Sequence, residues 1–231
     1  MSALQFARAA LLSLAAVSGL AFSFSLDDLS DRDAGLGLRA ALNKGAQTAV
    51  NQLGTENGFL SNEQVKIHLP SILEKARPLL QLAGKGPQLD ELEVSMNHAA
   101  ETAVPMAKTM LIAAVKSMSI DDAKKILTGG ETSVTDFFRE KTHDGLYVQF
   151  LPVVKRVTDR VGLARRYNDV MEKAERFGNV PDDQKTVEAY VAQRALDGLY
   201  KMIGEEEKTI RRDPLGSGSK AIEKVFGLLK S

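Results

Sequence analysis

The recurrence of apolar residues marks the chain as helical from residue 34 to near its end. Leu38, Leu42, Ala46, Ala49, Val50 and Leu53 fall at three- and four-residue steps, one face of a helix that Gly54 is placed to stop. Residues 65–70, Val-Lys-Ile-His-Leu-Pro, alternate apolar and polar with period two. No second run of that kind is present to pair with them, so the pattern predicts an extended connector rather than a sheet. Helical spacing resumes over Ser71–Ala83, with Pro78 a possible kink and Gly84 a stop. In residues 88–104, Leu89, Leu92, Met96, Ala99, Ala100 and Ala103 share one face, while Asp90, Glu93, Asn97 and Glu101 line another. Pro105 should break this helix, since an interior proline costs about 3 kcal/mol. The segment Met106–Val115 is apolar nearly all round and predicts a buried central helix.

Ser119 followed by Asp121 and Asp122 is a helix start, with acids where the helix dipole favours them. The spacing then predicts helices over 133–141, 143–161 and 163–177, with Gly162 and Gly178 as punctuation and Pro152 inside the second. The longest helix is expected over 184–212, with Val187, Val191, Ala195, Leu199 and Ile203 on its stripe, and a final one over 219–229. No composition shift, long linker or internal repeat divides the chain. The expected architecture is all-α: one multi-helix bundle domain over residues 34–231.

The stretch 125–138, Lys-Ile-Leu-Thr-Gly-Gly-Glu-Thr-Ser-Val-Thr-Asp-Phe-Phe, raises a choice between a phosphate cradle and a helix–helix corner. A P-loop needs a preceding strand and a Lys-Ser/Thr pair after a longer glycine loop. The corner explains the residues better: Gly129 or Gly130 supplies a left-handed turn, Thr132 or Ser133 caps the next helix, and Phe137 and Phe138 return to the core.

The first 25 residues alter the picture of where the protein works. Arg8 is their only charge, Ala9–Ala21 is almost unbroken apolar sequence, and small residues suit cleavage after Ala21 or Ser25. The apolar run is shorter than the roughly 20 residues of a membrane span. The segment reads as a signal peptide, with residues 26–33 as a flexible acidic leader. The expected location is the periplasm, with a soluble mature chain and no lipid-bearing cysteine. Of 30 basic residues only Arg8 is lost, leaving 29 against 30 acidic ones, so no global field favours nucleic acid. With no cysteine in the chain, disulfides, thiolate nucleophiles and Cys-ligated metals are excluded.

Candidate chemistry is sparse. Glu140-Lys-Thr-His143 is the only Glu-x-x-His pair where a carboxylate-bridged dimetal bundle needs two, and Thr142 resembles a cap separating its members. The three histidines have no zinc spacing. No metal or other cofactor is implied. Glu206, three residues after Ile203 and four before Ile210, falls on the core-facing stripe of the longest helix, where a carboxylate must meet a cation or titrate upward. A structural ion pair with Lys155 or Arg156 is the favoured reading. An acid/base role for Glu206, with Glu101 as second member, is the enzymatic alternative. Glu207 and Arg211 have the spacing of a surface i,i+4 pair. Residues 152–177 carry seven basic side chains against four acidic ones, interleaved as on a solvated face. Met96, Met106, Met110 and Met118 cluster in sequence; methionine adapts to irregular apolar shapes, so a Met-lined pocket for an apolar small molecule is set beside simple core filling.

Several segments in order, among them "LDDLSDRDAGLGLRAALNKGAQTAV", "LDELEVSMNHAAETAVPMAK", "DAKKILTGGETSVTDFFREKT" and "YVAQRALDGLYKMIGEEEKTIRRDP", resemble a family of exported bacterial proteins, domain of unknown function 4197. The resemblance spans residues 26–227 and implies an exported, helical, single-domain protein. It brings no catalytic or ligand residues to carry over. The expected function is non-enzymatic binding of a hydrophobic ligand, beside residues 96–118 with Glu206 orienting its polar end, or of an envelope partner. A carboxylate enzyme and a purely structural envelope protein are the alternatives. Export leads to a direct expectation: N-terminal sequencing of the mature protein should begin at Phe22 or Leu26, and an intact Met1 in the exported fraction would remove the signal reading.

Overall fold

The computed structural model describes residues 31–130, 132–175, 180–213, 216, 219–220 and 222–223. The signal segment, most of the acidic leader and most of the expected helix over 219–229 lie outside them. Eight α-helices make up the described residues, which contain no strand: α1 (Asp31–Leu53), α2 (Ser71–Leu82), α3 (Gly86–Ala103), α4 (Ala107–Lys116), α5 (Ile120–Thr128), α6 (Ser133–Thr158), α7 (Gly162–Glu175) and α8 (Val187–Arg212). The all-α bundle expected from the apolar spacing is the architecture observed. Helix α1 takes in residues 31–33, which the acidic composition had placed in the leader.

The central helix is α8, not the segment around residues 106–115. Helix α8 packs against α6, α1 and α3. Its buried positions run from Val187 through Tyr190, Leu196, Leu199, Tyr200 and Ile203 to Ile210. Thr186 caps its start by accepting a hydrogen bond from the Ala189 N–H at 3.0 Å. Helix α4 buries only Ala107, Leu111, Ala114 and Val115, leaving Lys108, Thr109, Ala113 and Lys116 exposed. Its polar residues Lys108, Thr109 and Lys116 hold one side of the helix in solvent, so it buries a single face rather than its whole surface. Pro105 breaks the chain as expected, in a 3-10 turn over Val104–Met106 between α3 and α4.

The two helices expected over 133–141 and 143–161 are one. Thr142 is interior to α6, where its Oγ1 donates back to the Phe138 carbonyl at 2.6 Å and meets the Tyr200 hydroxyl at 2.9 Å. A threonine whose hydroxyl is satisfied within the helix has no capping work to do. Ser119 does cap α5: it accepts from the Asp122 N–H at 3.0 Å, while Asp122 Oδ2 accepts from the Ser119 N–H at 3.0 Å.

The connector between α1 and α2 is extended, as its period-two pattern predicts, and α3 takes the part of a strand partner. Val65, Ile67 and Leu69 are buried; Lys66 is half-buried and His68 exposed. Asn97, fully buried on α3, accepts from the Ile67 N–H through Oδ1 at 2.8 Å and donates through Nδ2 to the Ile67 carbonyl at 2.8 Å. One turn along, the Glu101 carboxylate accepts three backbone N–H groups, from Asn57 at 3.1 Å, Phe59 at 3.0 Å and Leu60 at 3.1 Å. The loop reaches Glu101 because Asn57 adopts φ +62, a conformation asparagine tolerates better than most residues. Phe59 and Val65 then seat against Gly198 of α8, where an added Cβ would come within 2.9 Å of the Phe59 ring and 3.2 Å of Val65.

Replacing Asn97 by alanine leaves the Ile67 N–H and carbonyl buried without partners, at about 1–3 kcal/mol per group. Asn97→Ala should therefore lower the urea midpoint markedly and accelerate hydrogen exchange at Ile67. Unchanged exchange there would show that the connector is held by its apolar side chains alone.

Candidate functional site

Helix α8 carries polar residues along the side of its buried stripe that faces α6 and the connector, and two adjoining clefts open there. The larger, about 580 Å³, is bounded by Arg139, His143, Asp144 and Tyr147 of α6, Asp182 and Asp183 of the turn before α8, and Gln193, Arg194 and Asp197 of α8. The smaller, about 240 Å³, lies between residues 64–68 of the connector and Tyr190, Arg194, Asp197, Gly198 and Lys201. Arg194 and Asp197 belong to both, so the two clefts form one groove across α8.

Asp197 is the hub. It accepts from Gln193 Nε2 at 3.2 Å and pairs with Arg139 at 3.5 Å and Arg194 at 3.6 Å. Arg194 also approaches Asp183 at 3.8 Å and lies 5.2 Å from the Tyr190 ring centre; Arg139 lies over Tyr200 at 5.7 Å. The rings of His143 and Tyr147 are stacked 6.0 Å apart, and each imidazole nitrogen faces an oxygen: Asp144 Oδ1 at 2.9 Å and Gln193 Oε1 at 3.1 Å. Burial, then Asp183 and Asp182, raises the Tyr147 pKa above its usual value. The two clefts differ in the charges that line them: besides the shared Arg194 and Asp197, the larger has Arg139 with Asp144, Asp182 and Asp183, and the smaller has Lys66 and Lys201, with Lys66 paired to Glu93 of α3 at 3.4 Å.

The residues expected to bind or catalyse are dispersed. Met96 and Met118 are buried in the core, Met110 packs against Gly145 of α6, and Met106 is 43% exposed. None of these four, nor Glu101 or Glu206, lines any of the five principal clefts among the described residues. Glu101 is the anchor of the loop over residues 57–60. Glu206 is only half-buried and accepts from Gln52 Nε2 of α1 at 3.2 Å, while Lys155 bonds Asp159 at 2.7 Å. The carboxylate on the buried stripe is Glu207, 4% exposed and paired with Arg211, whose Nη2 also donates to the Ile126 carbonyl at 3.1 Å. Residues 206 and 207 both satisfy three- and four-residue spacing to Ile203 and Ile210, and the true phase of the helix picks the second.

The glycine corner has the role expected of it by different means. Gly129 has φ −78 and ψ 165, not a left-handed conformation, and Gly84 is the described glycine with positive φ. Gly129 is required by close approach, since a Cβ there would meet the Lys125 carbonyl at 2.4 Å. Thr132 stands at the N-cap of α6 without a side-chain cap bond; Ser133 instead donates through Oγ to the Ile126 carbonyl at 3.1 Å. Phe137 and Phe138 are buried as expected. Glu140 and His143 share α6, but the described residues contain no group of three or more metal-ligating side chains. No single described helix is long and apolar enough to cross a membrane.

Arg194 and Asp197 carry no mark in the sequence, because an Arg and an Asp three apart on a long helix have the form of an ordinary surface pair. The signal was positional: both lie within one turn of Tyr190 or Gly198, where the helix meets the connector.

Burial also sets a titration. Tyr200 is pushed up to about 12, chiefly by burial, although its bond to Thr142 opposes this; Tyr167, whose hydroxyl donates to the Gln184 carbonyl at 2.8 Å, is raised to about 12, again chiefly by burial. Since the folded pKa lies above the unfolded value of 10.0, their contribution to stability is complete below pH 10 and is lost as pH rises towards 12. Tyrosinate absorbance of the folded chain should therefore lag that of the denatured chain between those values. Coincident curves would show both hydroxyls to be open to solvent.

No curated protein and no solved structure matches the chain. A family model described as a protein of unknown function, DUF4197, matches residues 28–227, nearly all of the chain beyond its first 25 residues, and the chain belongs to that family.

Proposed function

We propose that this protein is an exported, periplasmic binding module that engages an envelope protein through the charged groove across α8. The observation that carries the reading is the joining of two clefts at Arg194 and Asp197, which gives a continuous concave surface that carries charges of both signs. Electrostatic complementarity of this kind orients a partner and excludes wrong ones more than it adds raw affinity. The apolar segment over residues 9–21 and its small-residue end support export. The methionines do not share a cleft, which turns the reading away from an apolar small molecule and towards a polar partner. Glu101, whose oxygens are occupied by three backbone N–H groups, supports the loop rather than chemistry.

The test is site-specific photocrosslinking in cells that export the protein. Groups placed at Asp144 and His68, within the groove, should give the same discrete adduct, and groups at Lys108 or Leu79, outside it, should not. Arg194→Glu should reduce that adduct at least tenfold, about 1.4 kcal/mol, with helical content unchanged because the side chain is 44% exposed. Equal labelling from all four positions, or indifference to Arg194→Glu, would assign the groove no part in binding.

A further inference from the structure

Helix α2 carries Ile72 and four leucines, yet none of its residues is buried. It packs against α3, and Leu73 and Leu80 are half-buried against the core. On that side Arg77 binds Glu74 of its own helix at 2.9 Å, and Asp90 and Glu93 of α3 at 3.3 Å. Ile72, Lys75, Leu79 and Leu82 follow one another at three- and four-residue steps, so they share the face turned away from α3. Ile72 is 46% exposed, Leu79 72% and Leu82 88%, and Lys75 and Pro78 are exposed between them. No residue of α2 lines any of the five principal clefts, so this face is a projecting ridge and not the wall of a pocket. Its charge differs from that of the neutral chain: residues 75–89 hold Lys75, Arg77 and Lys85 and no acidic side chain. Arg77 is spent on its three carboxylates. Lys75 and Lys85 have no ion pair or side-chain hydrogen bond among the described residues. Glu91, exposed on α3, lines a different cleft together with Val157 and Arg160.

We propose that α2 docks the protein on an anionic lipid surface, lying in the interface with Ile72, Leu79 and Leu82 inserted and Lys75 and Lys85 at the headgroup phosphates. Charge selects the occupant: the unpaired charges on the ridge and on the turn after it are both positive, which complements anionic headgroups. Shape agrees, because a protein partner would need a cleft cut to the ridge, whereas lipid closes round any projecting apolar group. A second copy of the chain fits less well, since a two-fold contact between ridges would set lysine against lysine. A lysine within an apolar stripe suits the membrane interface, where its stem lies along apolar surface while the ammonium reaches the headgroups. The helix lies on the bilayer and does not span it: its 12 residues extend about 18 Å, short of the roughly 30 Å hydrocarbon core. The Arg77 network fixes which face of α2 is turned outward. This surface is separate from the groove across α8, neither of whose clefts α2 lines.

The test uses the mature chain and vesicles of phosphatidylglycerol with phosphatidylcholine, or of phosphatidylcholine alone. The chain has no tryptophan, so Leu82→Trp places a single reporter on the ridge, and Val148→Trp, at a site 67% exposed on α6, supplies the control. The anionic vesicles should shift the Leu82→Trp emission to the blue and permit its quenching by brominated lipid, with the control unmoved. Flotation with the anionic vesicles should exceed that with phosphatidylcholine alone roughly tenfold or more and should fall as salt is added. Leu79→Glu combined with Leu82→Glu should weaken flotation roughly tenfold or more, at unchanged helical content because both side chains already stand in solvent. Lys75→Glu combined with Lys85→Glu should remove the preference for the anionic vesicles. Absence of a blue shift with either vesicle, equal shifts of the two reporters, or flotation that either double substitution leaves unchanged would overturn the proposal. So would a Leu82→Trp shift that grows with protein concentration in the absence of lipid, alongside a dimer in sedimentation: the ridge would then be a contact between copies of the chain.

Discussion

The architecture depends on two side chains of α3 doing what a neighbouring strand would do. A chain segment that buries Val65, Ile67 and Leu69 must also bury backbone polar groups, and each such group left unpaired costs as much as a good hydrogen bond contributes. Asn97 meets the Ile67 N–H and carbonyl together, as an amide in a sheet would, and Glu101 gathers the N–H groups of Asn57, Phe59 and Leu60. With residues 57–69 fixed in this way, Phe59 and Val65 press on Gly198 and the connector lies alongside the central helix. Glu93, on the same α3 face, extends the tie outward through Lys66 at 3.4 Å and Arg77 at 3.3 Å. These exposed or half-exposed pairs add little to stability beside the buried bonds.

Much of this was legible in the chain, because helical spacing and capping chemistry are local. The starts of α2 and α5, the break at Pro105 and the non-helical character of residues 66–69 follow from neighbours in sequence. Three features depended on contacts between distant residues. The polar face Glu93–Asn97–Glu101 has the pattern of a solvated helix surface, and only the connector that folds onto it turns it into a buried network. Thr142 has the form of a helix boundary in sequence, and it is the Tyr200 hydroxyl opposite it that makes it an interior residue. Glu206 and Glu207 fit the α8 stripe equally well by counting, and the choice between them is made by packing: Gly45 and Gln52 of α1 lie beside Glu206, and the α5–α6 corner beside Glu207 and Arg211.

The candidate site was less legible than the fold for a related reason. Methionines close in sequence suggested a pocket, but on helices crossing in three dimensions they face different ways: Met96 and Met118 into the core, Met106 into solvent. Arg194, Asp197, Arg139 and His143 come from two helices, and the hydrogen bond between His143 and Gln193 that joins them spans 50 residues; nothing in either helix alone distinguishes them from a solvated surface. Asp197 acquires meaning only as the point where Arg139 and Arg194 converge.

Anchoring and recognition are linked by the geometry of extended backbone. Burying alternate side chains commits the intervening residues to the surface, and the peptide groups alternate in the same way. Helix side chains can approach such a segment from one edge, as Asn97 does, but a helix has no backbone donors or acceptors with which to cover the other. Replacing a strand partner with α3 therefore leaves an edge exposed wherever the segment is not buried on both sides. In this fold residues 64–68 border the smaller cleft together with α8. The smaller cleft is thus a consequence of how the connector is held in place: the bonds that Asn97 makes to Ile67 also set where residues 64–68 meet α8.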